Sequence, residues 1–460
     1  MSLRGVAPGR ALLPLIAMLC GCADAGDGGA VEAPVPRVIL LGIDAADWQI
    51  VERLRRTQSL PNFEAVMRSG AHGPLSTVTL EPRGGATMQW TSVATGKLAD
   101  QHKIVHEYVS AADENGYVGP SQTGLRRAKA IWNVLGDRGI RVGVAGWPAT
   151  WPAEPVNGYM VSHYLKHRSI KFDRAVTLKN SLQLTYTGTT YANPELDQTY
   201  PPEFYQTIEP FIRGAETIAD AEIYRVLPSL SKASKRVFYD MKWTYLANQI
   251  VARIAGALLD DRTLNFVAVV AHGIDPAYHR ASKVVSWSPF RQQRHPQIGA
   301  LIDEYYAYID GVLGELLGPL GDDTIVILAS EHGTEGGRHA QQALDGVLAI
   351  RGPGVKQGYE IQNASILDLF PTILYIYGLP IPRDIEGRVL KEVFSEEFQR
   401  QRTASYVDSY EDGTATYPLR RDFARFDAEI RKRTERIGYL TWSPGKPNYA
   451  PENGVQGERN

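Results

Sequence analysis

Cysteine is nearly absent from this chain. Its 460 residues include only Cys20 and Cys22, and both lie within the first 22 positions. The remaining chain therefore cannot form a disulfide bond, a zinc–thiolate site or a cysteine nucleophile. Any chemistry in the folded body has to come from other residue types.

An excess of charge of either sign is also missing. The sequence has 49 basic and 51 acidic residues, and its formal net charge is -2. This balance gives no electrostatic case for binding a nucleic-acid polymer. The hydrophobic fraction of 43% and the charged fraction of 22% are ordinary for a globular protein. A chain of this length can form one large domain with an insertion, or two domains.

A short apolar stretch near the N-terminus indicates export. Two arginines precede residues 11–19, which are too few to span a bilayer as a helix but fit the hydrophobic region of a signal peptide. The stretch ends in Leu19-Cys20-Gly21-Cys22, which resembles the bacterial lipobox. Residues 1–22 are therefore predicted to be a lipoprotein signal peptide, with a lipid on Cys22. The alternative is a plain secretory signal with an incidental cysteine.

The predicted location is the bacterial cell envelope, with the protein attached to a membrane through the lipid on Cys22. Ala23, rather than an aspartate, follows this cysteine. By analogy with bacterial lipoproteins, this favours the outer membrane or its periplasmic face. Residues 23–36 are rich in Gly, Ala and Pro, and they are predicted to be a tether between the anchor and the fold.

Strand and helix patterns alternate along the rest of the chain, which predicts an α/β fold. Continuous apolar runs predict buried parallel strands, so that a mostly parallel central sheet is flanked by helices in an α/β/α sandwich. The main domain is predicted to cover residues 37–398. Within it, residues 165–260 are rich in Tyr, Thr and Lys before they turn helical, and they predict an inserted cap. Residues 399–460 are predicted to be a peripheral tail.

Acids and histidines directly follow three of these apolar runs. Because the carboxyl ends of parallel strands meet at one edge of a sheet, these residues are expected to lie close together. Several carboxylates and imidazoles in one place make a metal site the leading hypothesis. The residues concerned are Asp44 after 37–43, Asp275 and His279 after 264–271, and Glu331 and His332 after 324–329.

Several short motifs then follow one another in a recognisable order. They are Gly42-Ile43-Asp44, residues 90–96, residues 151–158, Asp275-Pro276-Ala277-Tyr278-His279, Ser330-Glu331-His332-Gly333, His339 followed by Gly352-Pro353-Gly354, and Pro371-Thr372-Ile373-Leu374. This ordered set resembles the type I phosphodiesterase and nucleotide pyrophosphatase branch of the alkaline phosphatase superfamily. The resemblance covers about residues 37–398 and implies that they form an alkaline phosphatase-like catalytic domain.

The resemblance implies two zinc ions at the sheet edge. One would be held by Asp275, His279 and His339, and the other by Asp44, Glu331 and His332. Zinc accepts imidazole nitrogen and carboxylate oxygen, and three protein ligands leave a position open for substrate. Two ions about 3.5–4 Å apart can stabilise both the entering and the leaving oxygen of an in-line displacement. The expected substrate is a small-molecule phosphate ester, with phosphodiester or pyrophosphate bonds as the first choice.

The chain departs from the family pattern at two positions. The family commonly reads Ser-Asp-His-Gly where this chain has Glu331, a carboxylate that is one methylene longer. Counting back from Thr95-Gly96, the family's nucleophilic hydroxyl falls on Ala86, and the next hydroxyl belongs to Thr87. Flanking glycines predict a helix here with Thr87 near its N-terminus and Gly96 as its C-cap. A one-residue shift makes Thr87 the predicted nucleophile, between the two metal ions.

Each of these residues also has a purely structural interpretation. Asp44 and Thr87 can be helix N-caps, Asp275 and His279 a solvated helical pair, and His332 and His339 turn or loop residues. The ordered set outweighs these alternatives when they are taken together. His272 is predicted to support a metal ligand rather than to bind metal itself.

Other functions also fit parts of the pattern. The same metal core suits a phosphomonoesterase or a phosphoryl transferase. Ala86 leaves open a catalytically silent ligand-binding lipoprotein with this fold. Sulfatases share the superfamily fold, but the usual type needs a cysteine that becomes the nucleophile, and the chain has none after Cys22.

Overall fold

The computed structural model describes most of the chain between residues 35 and 412. The parts of this span that it leaves out are 79–84, 106–107, 110–118, 164, 167–188, 191–197, 234, 276, 279–295 and 334–344. His279 and His339 therefore lie outside the described residues. So do the predicted signal peptide with Cys22, most of the tether and most of the tail.

One large sheet organises the described residues. It has the strand order β13-β2-β12-β11-β1-β10-β5-β6-β9, with β14 beside β2, and the pairs β3-β4, β7-β8 and β15-β16 form separate ribbons. The strands are β1 (Arg37–Ile43), β2 (Gly70–Ser76), β3 (Tyr108–Val109), β4 (Gly119–Pro120), β5 (Val142–Trp147), β6 (Gly158–Ser162), β7 (Leu165–Lys166), β8 (Thr189–Thr190), β9 (Thr199–Tyr200), β10 (Phe266–Ala271), β11 (Thr324–Ala329), β12 (Gly346–Arg351), β13 (Tyr359–Glu360), β14 (Ala364–Ser365), β15 (Ile381–Pro382) and β16 (Tyr406–Val407).

The helices lie between these strands. No helix among the described residues is long and apolar enough to cross a membrane. The α-helices are α1 (Trp48–Arg56), α2 (Pro61–Arg68), α3 (Ala86–Thr95), α4 (Ala99–His102), α5 (Ile131–Asp137), α6 (Tyr205–Glu216), α7 (Asp220–Val226), α8 (Lys235–Asp260), α9 (Pro296–Leu317), α10 (Leu369–Ile376) and α11 (Glu396–Gln401). Short 3₁₀ turns cover Thr123–Leu125, Pro202–Phe204, Pro228–Lys232, Ile366–Asp368 and Lys391–Val393.

The three strands that end in candidate ligands are neighbours in the middle of the sheet. β1 pairs in parallel with β11 on one side and with β10 on the other. The register places Gly42 opposite both Ala329 and Val270, so the three strands end at the same level. Every residue of β1 and of β11 is buried, as their continuous apolar runs predict.

Parallel pairing continues outward from this centre. The strands from β11 through β1, β10 and β5 to β6 are all parallel, whereas β12 and β9 pair antiparallel at either side of them. The predicted mostly parallel central sheet is therefore confirmed.

Helices cover both faces of the sheet. Alternate side chains of β1 enter different cores, with Ile39 and Leu41 on one face and Val38 and Leu40 on the other. The first core also contains apolar residues of α1, α2, α8 and α9, and the second contains those of α3, α5 and α10. This arrangement is the predicted α/β/α sandwich.

The helix α8 belongs to the first of these layers. Its residues Ile250, Ile254 and Leu258 pack in the same core as Val267 and Val269 of β10. This helix forms the C-terminal part of the predicted insertion at 165–260, so that part of the insertion covers the sheet. The cap and the domain boundaries stay predictions, because most residues from 164 to 197 lie outside the described part of the chain.

Three buried tryptophans join α3 and α5 to the end of β5. Trp147 of β5 meets Trp90 and Trp132 edge-on, with ring centroids 5.2 Å and 5.5 Å away. The buried Glu154 carboxylate accepts hydrogen bonds from Trp132 Nε1 at 2.7 Å and from the Arg126 guanidinium at 2.8 Å. Glu154 therefore fixes Trp132, the member of this cluster that belongs to α5.

Removing the Glu154 carboxylate should destabilise the fold strongly. Glu154→Ala leaves the buried Arg126 charge without its carboxylate, and the expected cost is about 3–5 kcal/mol in the free energy of unfolding. The measurement is urea unfolding followed by tryptophan fluorescence. Asp303→Ala is the control, because it breaks a pair with Arg53 whose side chains are 44% and 36% exposed, and such pairs contribute about 0–1 kcal/mol. Equal effects of the two variants would contradict this role of Glu154.

Candidate metal centre

Three buried side chains converge at the carboxyl edge of β1 and β11. Asp44, Glu331 and His332 each offer one ligand atom, and these atoms lie within 4.8 Å of one another. His332 Nε2 lies 3.4 Å from Glu331 Oε1 and 4.0 Å from Asp44 Oδ1. The three residues are the described members of the predicted second metal site, and the sheet brings them together as expected.

The orientation of His332 suits a metal ligand. Its Nδ1 lies 3.1 Å from the Gly333 carbonyl oxygen, which can only accept a hydrogen bond. Nδ1 therefore carries a proton, which leaves Nε2 as the ring nitrogen that can bind a metal ion. That nitrogen is the one that faces Asp44 and Glu331. Ser330 steadies the turn, because its hydroxyl donates to the His332 carbonyl oxygen at 3.0 Å.

Each carboxylate has one oxygen held by the protein and one that faces the other ligands. Asp44 Oδ2 lies 2.9 Å from His272 Nδ1, and Glu331 Oε2 accepts from the Ala45 N–H at 3.4 Å. Ala45 has a positive φ of 62°, which few non-glycine residues adopt. When both carboxyls are ionised, Asp44 Oδ1 and Glu331 Oε1 meet no donor among the described residues. Two buried oxygens and an imidazole lone pair directed at one place fit a divalent cation.

Burial and repulsion set the protonation of the two carboxyls. Burial, and then the neighbouring Asp44 carboxylate, raise the pKa of Glu331 well above its ordinary value. Burial also raises the pKa of Asp44, but hydrogen bonds with His272 and Glu331 outweigh it and leave that pKa below its ordinary value. Without a metal, Glu331 therefore binds a proton more strongly than Asp44. A bound cation would remove the repulsion and keep both carboxyls ionised.

His272 extends the site toward β5, as its predicted supporting role requires. Its Nε2 lies 2.7 Å from the Gly146 carbonyl oxygen, while its Nδ1 faces Asp44. His163, which follows β6, lies beside it with ring centroids 4.5 Å apart. Burial, and then the charge of His272, lower the pKa of His163 to about 3, so this second ring is neutral at physiological pH.

The predicted first metal site is described only in part. Asp275 is 2% exposed and follows β10, and its negative charge acts to raise the pKa of Asp44. It therefore lies on the same edge of the sheet as the three converging residues. Its predicted co-ligands His279 and His339 lie outside the described residues, so this half of the metal centre stays a prediction.

The predicted nucleophile Thr87 is the second residue of α3 and is 6% exposed. The helix begins after Gly85 and ends at Gly96, which has a φ of 68°, as the flanking glycines predict. One turn after Thr87, Trp90 packs on Gly42: a Cβ at Gly42 would lie 2.5 Å from the Trp90 ring. Thr87 is therefore one helical turn from a residue in contact with the strand that leads to Asp44.

Two parts of this edge were not found by sequence analysis. His163 follows a strand, which is the same signal that pointed to Asp44 and Glu331, but its strand β6 was not among the three apolar runs considered. The backbone groups of Ala45 and Gly146 could not be found, because their directions depend on local φ and ψ angles rather than on residue type.

A comparison with protein families finds one match that spans most of the chain. The family described as type I phosphodiesterase / nucleotide pyrophosphatase matches residues 38–446. This range includes every predicted metal ligand and Thr87.

Curated relatives match over shorter segments. Human arylsulfatase K is 30% identical over 163 residues, which are 28% of this chain and 30% of that protein. Arylsulfatase K of Xenopus laevis is 34% identical over 122 residues, which are 24% of this chain and 23% of that protein. The matched segments thus cover less than a third of these relatives.

Solved structures resemble the chain at low sequence identity. A phosphonate monoester hydrolase from Silicibacter pomeroyi matches with a TM-score of 0.46 and 16% identity over 78% of this chain and 76% of that one. A murine ectonucleotide pyrophosphatase / phosphodiesterase 5 in complex with AMP matches with a TM-score of 0.44 and 11% identity over 78% of this chain and 100% of that one.

Replacing Glu331 by glutamine should have opposite effects on stability with and without metal. In the metal-free protein the folded-state pKa of Glu331 is raised, so its contribution to stability is lost as pH rises above the ordinary glutamate value. Above that value the Glu331→Gln variant should therefore be more stable than the unaltered protein. The difference in the free energy of unfolding should grow by about 1.4 kcal/mol per pH unit until the raised pKa is reached. With zinc present the order should reverse, because glutamine is a poorer ligand.

Melting temperatures in chelator and in zinc, each at several pH values, measure this reversal. Glu360→Gln is the control, since Glu360 is an exposed residue of β13. A Glu331→Gln variant that is at least as stable as the unaltered protein in zinc would contradict the assignment of Glu331 as a metal ligand.

Proposed function

Because the chain belongs to the type I phosphodiesterase / nucleotide pyrophosphatase family, a group of hydrolases in the alkaline phosphatase superfamily, we propose that it hydrolyses small-molecule phosphate esters. Phosphodiester or pyrophosphate bonds are the proposed substrates. The observation that carries the proposal is the convergence of Asp44, Glu331 and His332 at the carboxyl edge of the sheet.

Two zinc ions are the proposed cofactors. Asp44, Glu331 and His332 would hold one ion through two carboxylate oxygens and one imidazole nitrogen, a donor set that suits zinc. Asp275, His279 and His339 would hold the other. Such ions supply positive charge that stabilises the entering and leaving oxygens of a displacement at phosphorus.

Thr87 is the proposed nucleophile. Its hydroxyl would form a bond to phosphorus while the bond to the leaving alcohol breaks, and water would then cleave the phosphothreonine. Its position as the second residue of α3 supports this role, because the first N–H groups of a helix have no partner within the helix and favour a phosphate oxygen. Thr91 steadies the first turn, since its hydroxyl donates to the Thr87 carbonyl oxygen at 2.7 Å.

Sulfate ester hydrolysis is the second candidate. The partial matches to arylsulfatase K favour it. The lack of any cysteine after Cys22 weighs against a sulfatase of the usual type. A phosphomonoesterase or phosphoryl transferase, and a silent binding protein, are the remaining alternatives, and one substrate panel distinguishes all of them.

We further propose that the protein acts in the bacterial cell envelope, attached through a lipid on Cys22. The lipobox-like residues 19–22 at the end of an apolar stretch support this location. In this place the catalytic domain would meet small phosphate esters outside the cytoplasm.

The protein from residue 23 onward should cleave an aryl phosphodiester in zinc buffer and lose this activity to a chelator. Thr87→Ala should lower kcat by about 10³-fold or more because the attacking oxygen is gone, while the zinc content stays close to two ions. Thr87→Ser should retain activity, since it keeps a hydroxyl. Release of the aryl alcohol and metal analysis are the measurements.

Thr95→Val is the matched control, because it alters a buried threonine two turns further along the same helix and keeps both the Thr87 hydroxyl and the Thr91 contact with its turn. A Thr87→Ala variant as active as Thr95→Val would exclude Thr87 as the nucleophile. Faster cleavage of an aryl monoester or aryl sulfate than of the diester would replace the phosphodiesterase proposal by the corresponding alternative. Two bound zinc ions with no turnover of any of the three esters would support the silent binding protein.

Replacing Cys22 should release the protein from the membrane. In cells that express the full chain, Cys22→Ser should move the protein from the membrane fraction to the soluble envelope fraction, because it removes the lipid attachment site. Cys20→Ser is the control and should leave the protein in the membrane fraction. If both variants fractionate like the unaltered protein, the lipid anchor is wrong.

A further inference from the structure

His272 connects the candidate metal centre to β5, a strand that carries none of the predicted metal ligands. It follows β10 directly and is 8% exposed. Its Nδ1 reaches Asp44 Oδ2 beyond β1, and its Nε2 reaches the Gly146 carbonyl oxygen of β5. Since β10 lies between β1 and β5, the ring bridges the ends of the two neighbouring strands.

The Gly146 carbonyl group faces the ring because β5 is irregular at this point. Its register with β6 shifts between Ala145 and Trp147, and Gly146 has a φ of 67°. A Cβ at this position would lie 2.7 Å from the Val270 carbonyl oxygen. Such bulges redirect backbone groups near functional sites. The His163 Nδ1 also lies 3.3 Å from this oxygen, so two buried rings converge on one acceptor.

The two oxygens of Asp44 have different surroundings. Oδ2 is 2.9 Å from His272 Nδ1, whereas Oδ1 is directed toward His332 Nε2 at 4.0 Å. The terminal torsion of an aspartate side chain has a broad energy minimum, so an unrestrained carboxylate can turn. A donor fixed beside Oδ2 removes this freedom and decides which lone pairs point toward the ligand cluster.

We propose that His272 is the positioning residue of Asp44. Because a carboxylate oxygen and a carbonyl oxygen both accept, the ring makes the two contacts with a proton on each nitrogen. Nδ1–H then holds Oδ2 and Nε2–H is fixed by the Gly146 carbonyl oxygen, so that Oδ1 is presented to the cation that Asp44, Glu331 and His332 would hold. Partners that orient a metal ligand in this way commonly contribute about 10–100-fold to metal affinity. The inference rests on the proposed metal centre, but the orientation of Asp44 can be observed without metal.

Amide side chains separate a positioning role from a packing role. An asparagine at position 272 places its amide nitrogen on Cγ, where the histidine has Nδ1, and can donate to Asp44. A glutamine places its amide nitrogen near the position of Nε2 and can reach the Gly146 carbonyl oxygen instead. Alanine removes both contacts. A positioning role therefore predicts that asparagine restores function and glutamine does not.

The first measurement is the orientation of Asp44 in crystals of the full chain prepared with a chelator. In the unaltered protein and in His272→Asn, Oδ1 should face His332. In His272→Ala and His272→Gln, the carboxylate should rotate away from this direction. An unchanged carboxylate in His272→Ala overturns the proposal without any reference to metal.

The second measurement is zinc affinity, by competition with a chromogenic chelator. Asp44→Ala should abolish one zinc-binding step and so identify the step that belongs to this site. His272→Ala and His272→Gln should weaken the same step by about 10–100-fold, and His272→Asn should recover most of the loss. His102→Asn is the control, since His102 is a buried histidine that bonds Ser92 and the Ile104 N–H. Melting temperatures in chelator correct for any general loss of stability.

The outcomes separate this inference from the proposed function. If the carboxylate rotates as expected but the unaltered protein binds no zinc, the positioning role stands and the metal-dependent function is wrong. If zinc binds tightly to the unaltered protein and equally tightly to His272→Ala, the positioning role is wrong and the metal centre stands. Equal rescue by asparagine and glutamine would reduce His272 to a packing residue.

Discussion

The parallel register of β11, β1 and β10 is the constraint on which the candidate site depends. These strands pair so that Gly42 lies opposite both Ala329 and Val270, and the residues that follow each strand therefore emerge at one level. Parallel strands are usually covered on both faces of a sheet, and every residue of β1 is buried. The position of Asp44 beside Glu331 and His332 is a direct result of this register.

Placing two carboxyls in a buried site opposes stability, and the surrounding groups reduce that cost in different ways. His272 holds one oxygen of Asp44, and the Ala45 N–H holds one oxygen of Glu331. Burial, and then repulsion by the Asp44 charge, raise the pKa of Glu331, whereas hydrogen bonds with His272 and Glu331 outweigh burial and lower the pKa of Asp44. A cation would relieve the repulsion that the protein alone leaves in place. Metal binding therefore favours the ionised form of Glu331, whereas the stability of the metal-free fold favours its protonated form.

Much of the fold follows from local pattern. The apolar run Thr324–Ala329 is the observed strand β11, and the glycines around residues 86–95 bound the observed helix α3. Three of the predicted metal ligands, Asp44, Glu331 and His332, converge as expected. That α8 covers the sheet could not be predicted from the sequence of residues 165–260. An amphipathic helix has the same pattern of apolar residues whether it packs on a cap or on a sheet.

Residue type and apolar runs are local properties, so the sequence is enough to show which residues stand at strand ends and what chemistry their side chains can perform. The direction of each hydrogen-bond donor depends instead on the tertiary structure. The choice between the two oxygens of Asp44 depends on His272, whose ring is set by a carbonyl group that a bulge at Gly146 turns toward it. The directions of these hydrogen-bonding groups arise from backbone angles and from contacts between distant residues, and the spacing of residues in the sequence predicts neither.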